Sequence, residues 1–140
     1  MMHAYSEYYL SDAKKHLATA FDYAINRVGI EADFFARFFI NSEYARLFEC
    51  GNPRVVAGMS GYELASEIIS RFYPGKKLPK KVKFTLSKSP EYWAGWVLAE
   101  YQWYSARSFS GTVPGVSGTS LNIFLFQKLL RCIRYTMRWI

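Results

Sequence analysis

The chain has little of what most catalytic and metal sites are made from. It holds two cysteines, Cys50 and Cys132, and two histidines, His3 and His16, in 140 residues. The cysteines are far apart and show no C-x-x-C spacing. A structural zinc site needs about four Cys or His ligands, and residues scattered this way do not suggest one. Sparse cysteine fits a reducing cytoplasm rather than a disulfide framework. The start, Met1 to Glu7, lacks the basic-then-apolar pattern of a signal peptide. Gly51, Gly58 and Gly61 make one glycine-rich stretch, but no Gly-Lys-Ser/Thr ending follows, so turn chemistry explains it better than a phosphate loop. Acidic residues also run out. Residues 1–70 carry six basic and nine acidic side chains, whereas residues 71–140 carry twelve basic ones against Glu91 and Glu100. The net charge of +7 therefore belongs to the second half. Such asymmetry favours a polyanion or an acidic partner there, with a solvated basic loop and tail as the plainer reading.

What is present reads as helix. At 140 residues and 51% apolar composition the chain is long enough for one domain with its own core. Ser6 to Val28 repeats Leu10, Ala13, Leu17, Ala20, Phe21, Ala24, Ile25 and Val28 at three- and four-residue steps, one apolar helical face, and Gly29 is placed to end it. Glu31 to Ile40 is a second helix, with Phe34, Phe35, Phe38 and Phe39 apolar nearly all round, and Glu43 to Cys50 a short third, closed by Gly51. Gly51 to Met59 reads as a connection. Ser60 and Glu63 form a capping box before a helix that runs to about Phe72, where Tyr73-Pro74-Gly75 stops it. In Lys76 to Lys88, Val82, Phe84 and Leu86 alternate with Lys81, Lys83 and Thr85, the pattern of one short extended segment. Ser89-Pro90 is a helix start, and the helix to about Ser105 gathers Tyr92, Trp93, Trp96, Tyr101, Trp103 and Tyr104. Those rings are expected to point inward and knit the core. The expectation is an all-α bundle of about five helices over residues 1–109, a Gly/Ser/Thr-rich linker over 110–120 and a basic amphipathic tail over 121–140.

No nucleophile–base pair stands out. Cys50 ends a helix, where the dipole does not favour a thiolate, and reads as a buried structural residue. His16 reads as a surface residue and His3 as part of a loose terminus. Glu91 suits the first turn of its helix, and Glu100, among aromatics, is better explained by a Lys or Arg partner than by catalysis. No cofactor is implied. The aromatic helix could stack bases, but that use requires basic groups between the rings, and this stretch has none before Arg107. The better phosphate-contacting candidates are Lys76, Lys77, Lys80, Lys81, Lys83 and Lys88, with Arg54 and Arg107 as further partner contacts. Without base-reading geometry such contacts bind weakly and without sequence preference.

Five segments resemble the N-terminal domain of small helix-turn-helix transcriptional regulators from gut Firmicutes. They are Tyr9-Leu10-x-Asp12-Ala13, Phe21 to Asn26, Asp33-Phe34-Phe35-x-x-Phe38-Phe39-Ile40, Gly51-Asn52-Pro53-Arg54 through Glu63-Leu64, and Ser89 to Phe109. The resemblance covers roughly residues 5–109. It implies a non-enzymatic regulatory or protein-interaction domain, antitoxin- or repressor-like, with a toxin or a second copy as the partner. It carries no functional residues over. The residues after Phe109 do not resemble the helical segment and DNA-reading domain expected to follow in such regulators, and the change of composition there is what a shifted reading frame or truncated gene would give. The alternatives are a basic nucleic-acid-associated protein using the Lys76–Lys88 arm and, more weakly, a membrane-surface protein anchored by Leu121 to Ile140.

Overall fold

A computed structural model describes residues 3–79, 88–106, 109 and 121–137, with the side chains of 121–126 and 137 left undescribed. The fold is all-α. Helices α1 (Leu10–Asp22), α2 (Ala32–Asn41), α3 (Glu43–Glu49), α4 (Pro53–Val56), α5 (Gly61–Phe72), α6 (Pro90–Ser105) and α7 (Leu121–Met137) follow in order, seven among the described residues rather than about five. The excess has two sources. The Gly51–Met59 connection hides α4, a single turn that Asn52 caps by accepting from the Arg54 amide at 3.0 Å. The tail folds as α7. The first helix also changes pitch: Tyr23–Val28 continues α1 as a π-helix, ended by Gly29 at φ +89°. The extended pattern of Val82, Phe84 and Leu86 falls outside the described residues.

Helix α1 is the axle of the bundle, packed most extensively on α6 and then on α5. Small residues make both crossings close. A methyl group added at Gly95 of α6 would stand 2.9 Å from Ala18 Cα and 3.0 Å from the Leu17 carbonyl oxygen. One added at Gly61 would stand 2.5 Å from Thr19 Cβ and 2.6 Å from the His16 carbonyl oxygen. Ala13, Leu17, Ala18, Ala20, Ala94, Leu98 and Ala99 fill the seams, all buried.

The expectation for the aromatic helix holds for Tyr92 and Trp103 and fails for Trp93 and Tyr104, with Trp96 and Tyr101 between. Helix α6 buries Ala94, Gly95, Leu98, Ala99 and Gln102 together with Tyr92 and Trp103, while Trp93, Val97 and Tyr104 are exposed and Trp96 half-exposed. The aromatic centre of the core is built from phenylalanine instead. Phe21, Phe35, Phe39, Phe48 and Phe109 are fully buried, meeting edge to face at centroid distances such as 5.0 Å (Phe21–Phe35) and 4.9 Å (Phe39–Phe109). Phe has no polar atom to satisfy, whereas a buried indole or phenol needs a partner. Trp103 meets that requirement by donating Nε1–H to the Tyr5 carbonyl at 2.7 Å.

Helix α7 lies against α6 and α2. Leu130 is buried and Ile133 packs on the core. Gln127 Nε2 donates to Asp33 Oδ1 of α2 at 2.7 Å, and Arg134 reaches Glu91 of α6 at 2.6 Å.

Candidate interaction surface

The outer face of α6 departs most from what a surface helix ordinarily shows. On a 3.6-residue helix, Trp93, Trp96, Val97, Glu100 and Tyr104 share one side. That is the side turned from α1, where charged and polar residues are the rule. Here four of the five are aromatic or aliphatic. Trp93 is 40% exposed, Val97 36% and Tyr104 56%. The local reason is the packing below: the Ala94–Gly95–Leu98–Ala99 face fits flush on α1 only because it is small, which leaves the bulky residues outside.

The rings form a connected row. Tyr92 stacks on Trp96 with centroids 6.2 Å apart, and Trp93 meets Trp96 at 5.9 Å and Tyr92 at 5.3 Å, edge to face. Two cations from elsewhere in the chain close it. Lys14 of α1 places Nζ 4.8 Å from the Trp96 ring centre, and Lys88, just before α6, places Nζ 4.8 Å from that of Tyr92. A lysine so placed is held by the ring's negative face. Lys14 also stands 3.9 Å from Glu100, the single charged residue of the stripe. At the end of α6, His3 stacks on Trp103 at 3.9 Å, so the N-terminal segment is anchored there rather than loose. The basic groups missing from the aromatic stretch are therefore supplied by the fold, Lys14 from some eighty residues earlier.

The other sequence-nominated residues are dispersed. Arg54 is exposed on α4, at the side of the bundle where α4 meets α1 and α3. Lys76 lies 5.5 Å over the Tyr73 ring and lines a groove of about 400 Å³ with Phe34, Phe38 and Tyr73. Lys77 is exposed. Lys80, Lys81, Lys83 and Arg107 lie outside the described residues. Of the candidates, Lys88 alone among the described ones joins the α6 face.

A buried polar cluster sits at the foot of α6, where sequence reasoning saw only a helix-dipole acid. Glu91 is 4% exposed. Asn26, on the π-turn, donates Nδ2 to both Asp22 at 2.9 Å and Glu91 at 3.1 Å. Ser89 Oγ donates to Asp22 and accepts from the Tyr92 amide at 3.1 Å, and Arg134 completes the set. Burial pushes the Glu91 carboxyl up, but the hydrogen bonds from Arg134, Asn26 and its own backbone, with the guanidinium charge, outweigh it, and the group titrates below its usual 4.5. Burial, then the Asp22 charge, raises the Tyr92 phenol. An ionised, fully hydrogen-bonded carboxylate makes a joint, and this one ties the π-turn, α6 and α7 together.

Cys50, His16 and Glu100 each have a local partner. Cys50 is exposed, not buried as its helix-end position suggested, and its Sγ bonds the Leu47 carbonyl at 3.3 Å. His16 is half-buried, Nδ1 3.0 Å from the Val56 carbonyl oxygen. Glu100 has the lysine partner expected for it. Among the described residues no three His, Cys, Asp or Glu converge as a metal site, and no helix is long and apolar enough to cross a membrane. No protein-family model matches the chain, and no curated protein or solved structure does either.

Proposed function

We propose that this chain is a non-enzymatic interaction domain that binds a protein partner through the outer face of α6. One observation carries the reading: a helix whose inner face is small and flush presents Trp93, Trp96, Val97 and Tyr104 to solvent, with Lys14 and Lys88 over the row. Keeping contiguous aromatic surface in water is unfavourable by about 25 cal/mol per Å², and exposed patches of this kind mark sites that another molecule covers. Trp and Tyr are also the residues that dominate binding energy at protein interfaces. The resemblance of residues 5–109 to the N-terminal domains of helix-turn-helix regulators supports a regulatory role, with an antitoxin-like contact to a toxin as one form of it.

The ring row does not favour base stacking. A stacking platform offers free ring faces, whereas Lys14 covers Trp96, Lys88 covers Tyr92 and the indoles meet edge to face. The test is site-directed photo-cross-linking of the full chain in the cells that make it. A benzophenone amino acid replacing Val97 is expected to yield a discrete adduct with another polypeptide, and one replacing Lys77 is not. An adduct at Lys77 with none at Val97 would overturn the reading.

A further inference from the structure

We infer that the α6 face docks one amphipathic helix whose apolar stripe is flanked by acidic residues. This rests on the reading of that face as a protein-binding surface and goes on to name the shape and charge of what binds.

The shape follows from spacing. Trp93, Val97, Glu100 and Tyr104 stand four, three and four residues apart. That is the spacing at which two helices interlock along a common seam. Eleven residues at 1.5 Å each give a seam about 16 Å long. The seam is continuous, since α6 runs unbroken from Pro90 to Ser105. A strand would need a sheet edge to join, and among the described residues there is none.

The charge follows from what borders the seam. Lys14 stands over Trp96 and Lys88 over Tyr92, the rings beside its Trp93 end, and no acidic residue other than Glu100 lies between 92 and 106. Glu100 is matched by Lys14 at 3.9 Å. Acidic groups flanking a partner's apolar stripe complement the two lysines beside the seam and a chain of net charge +7. The same net charge disfavours a second copy, because two identical faces bring like charges and two copies of Glu100 together.

The probes are two synthetic peptides of about 20 residues, long enough to hold helix. Both carry leucines at the same four-three-four spacing. One has glutamates at the flanking positions, the other lysines. Binding to the full chain is read by anisotropy of a dye on the peptide. The acidic peptide is expected to bind at least about tenfold more tightly than the basic one, with the preference shrinking as salt is raised. Lys88→Glu should narrow that preference, and Trp93→Ala should weaken the acidic peptide, each variant checked for native helicity by circular dichroism. Tyr104→Ala serves if Trp93→Ala does not fold. Equal affinity for the two peptides overturns the inference, as does no binding of the acidic one. So does tighter, Trp93-dependent binding of an oligothymidine strand, or self-association through this face in sedimentation. If the Val97 cross-link to another polypeptide persists while the peptides bind equally, the partner reading stands and the acidic helix falls.

Discussion

Reversing the ordinary ranking of a glycine and a tyrosine gives a sharp test of how α6 sits. Gly95 lies where α6 and α1 approach closely. A Cβ there stands 2.9 Å from Ala18 Cα, against the 3.5–4.0 Å of ordinary carbon contact, so the helices must separate by roughly half an ångström or more before the two further methyls of valine are accommodated. The neighbours in the seam, Leu17, Ala18, Ala94 and Ala99, are fully buried and have nowhere to retreat. Overpacking of this kind costs about 1–3 kcal/mol, and the helix preference of valine over glycine returns only about half a kcal/mol. Gly95→Val should therefore lose about 2 kcal/mol. Tyr104→Ala removes a far larger side chain, but one 56% exposed on the outer face, and should lose less than about 1 kcal/mol. In urea unfolding followed by circular dichroism, a slope of about 2 kcal/mol per molar puts the glycine variant about 1 M lower in midpoint and the tyrosine variant within about 0.5 M of the parent. A tyrosine variant that falls as far as the glycine variant refutes the inward-small, outward-aromatic arrangement.

Three further outcomes follow from particular residues. Arg134→Ala strips the buried Glu91 of its guanidinium and should cost about 1–2 kcal/mol, with the protease sensitivity of α7 rising in limited digestion. Because the folded Glu91 carboxyl titrates below its usual 4.5, its contribution is present above that value and is lost as pH falls through the folded pKa. Glu91→Gln should therefore lose less stability than the parent between neutral pH and pH of about 3, measured by thermal melts. Gly29 sits at φ +89° with open space around the position, so Gly29→Ala meets no neighbour and should cost about 1–2 kcal/mol from backbone strain, seen as a lower urea midpoint with native helicity retained.

Much of the helical order could be read from the residues. The Gly29 stop, the Ser60 cap on the Glu63 amide, and the Ser89-Pro90 start are local chemistry, and local chemistry is visible in sequence. The single turn of α4 was hidden because four residues carry no periodicity. The change from α to π pitch at Tyr23 was hidden because a widened turn leaves the apolar spacing nearly intact. Ring orientation is not legible in the sequence for a clearer reason. Tyr92 to Tyr104 has apolar residues on every side, a near-uniform helix that gives periodicity little to work with. The signal that could have settled it was the run Ala94, Gly95, Leu98, Ala99. Small residues at that spacing mark the face of closest helix contact, and a bulky face opposite must then lie outside. Lys14 over Trp96 joins residues eighty-two positions apart, and no local pattern carries that information. The same holds for Asn26 bridging Asp22 to Glu91.

Hydroxyl-radical footprinting of the full chain, read residue by residue by mass spectrometry, tests the central claim most directly. Trp93 and Tyr104 should be labelled quickly, while Trp103 and Tyr92, of the same residue types on the same helix, should be strongly protected. Protection of Trp93 and Tyr104 in the free protein, with rapid labelling of Trp103 and Tyr92, would mean that α6 faces the other way and that its aromatic row is core rather than docking surface.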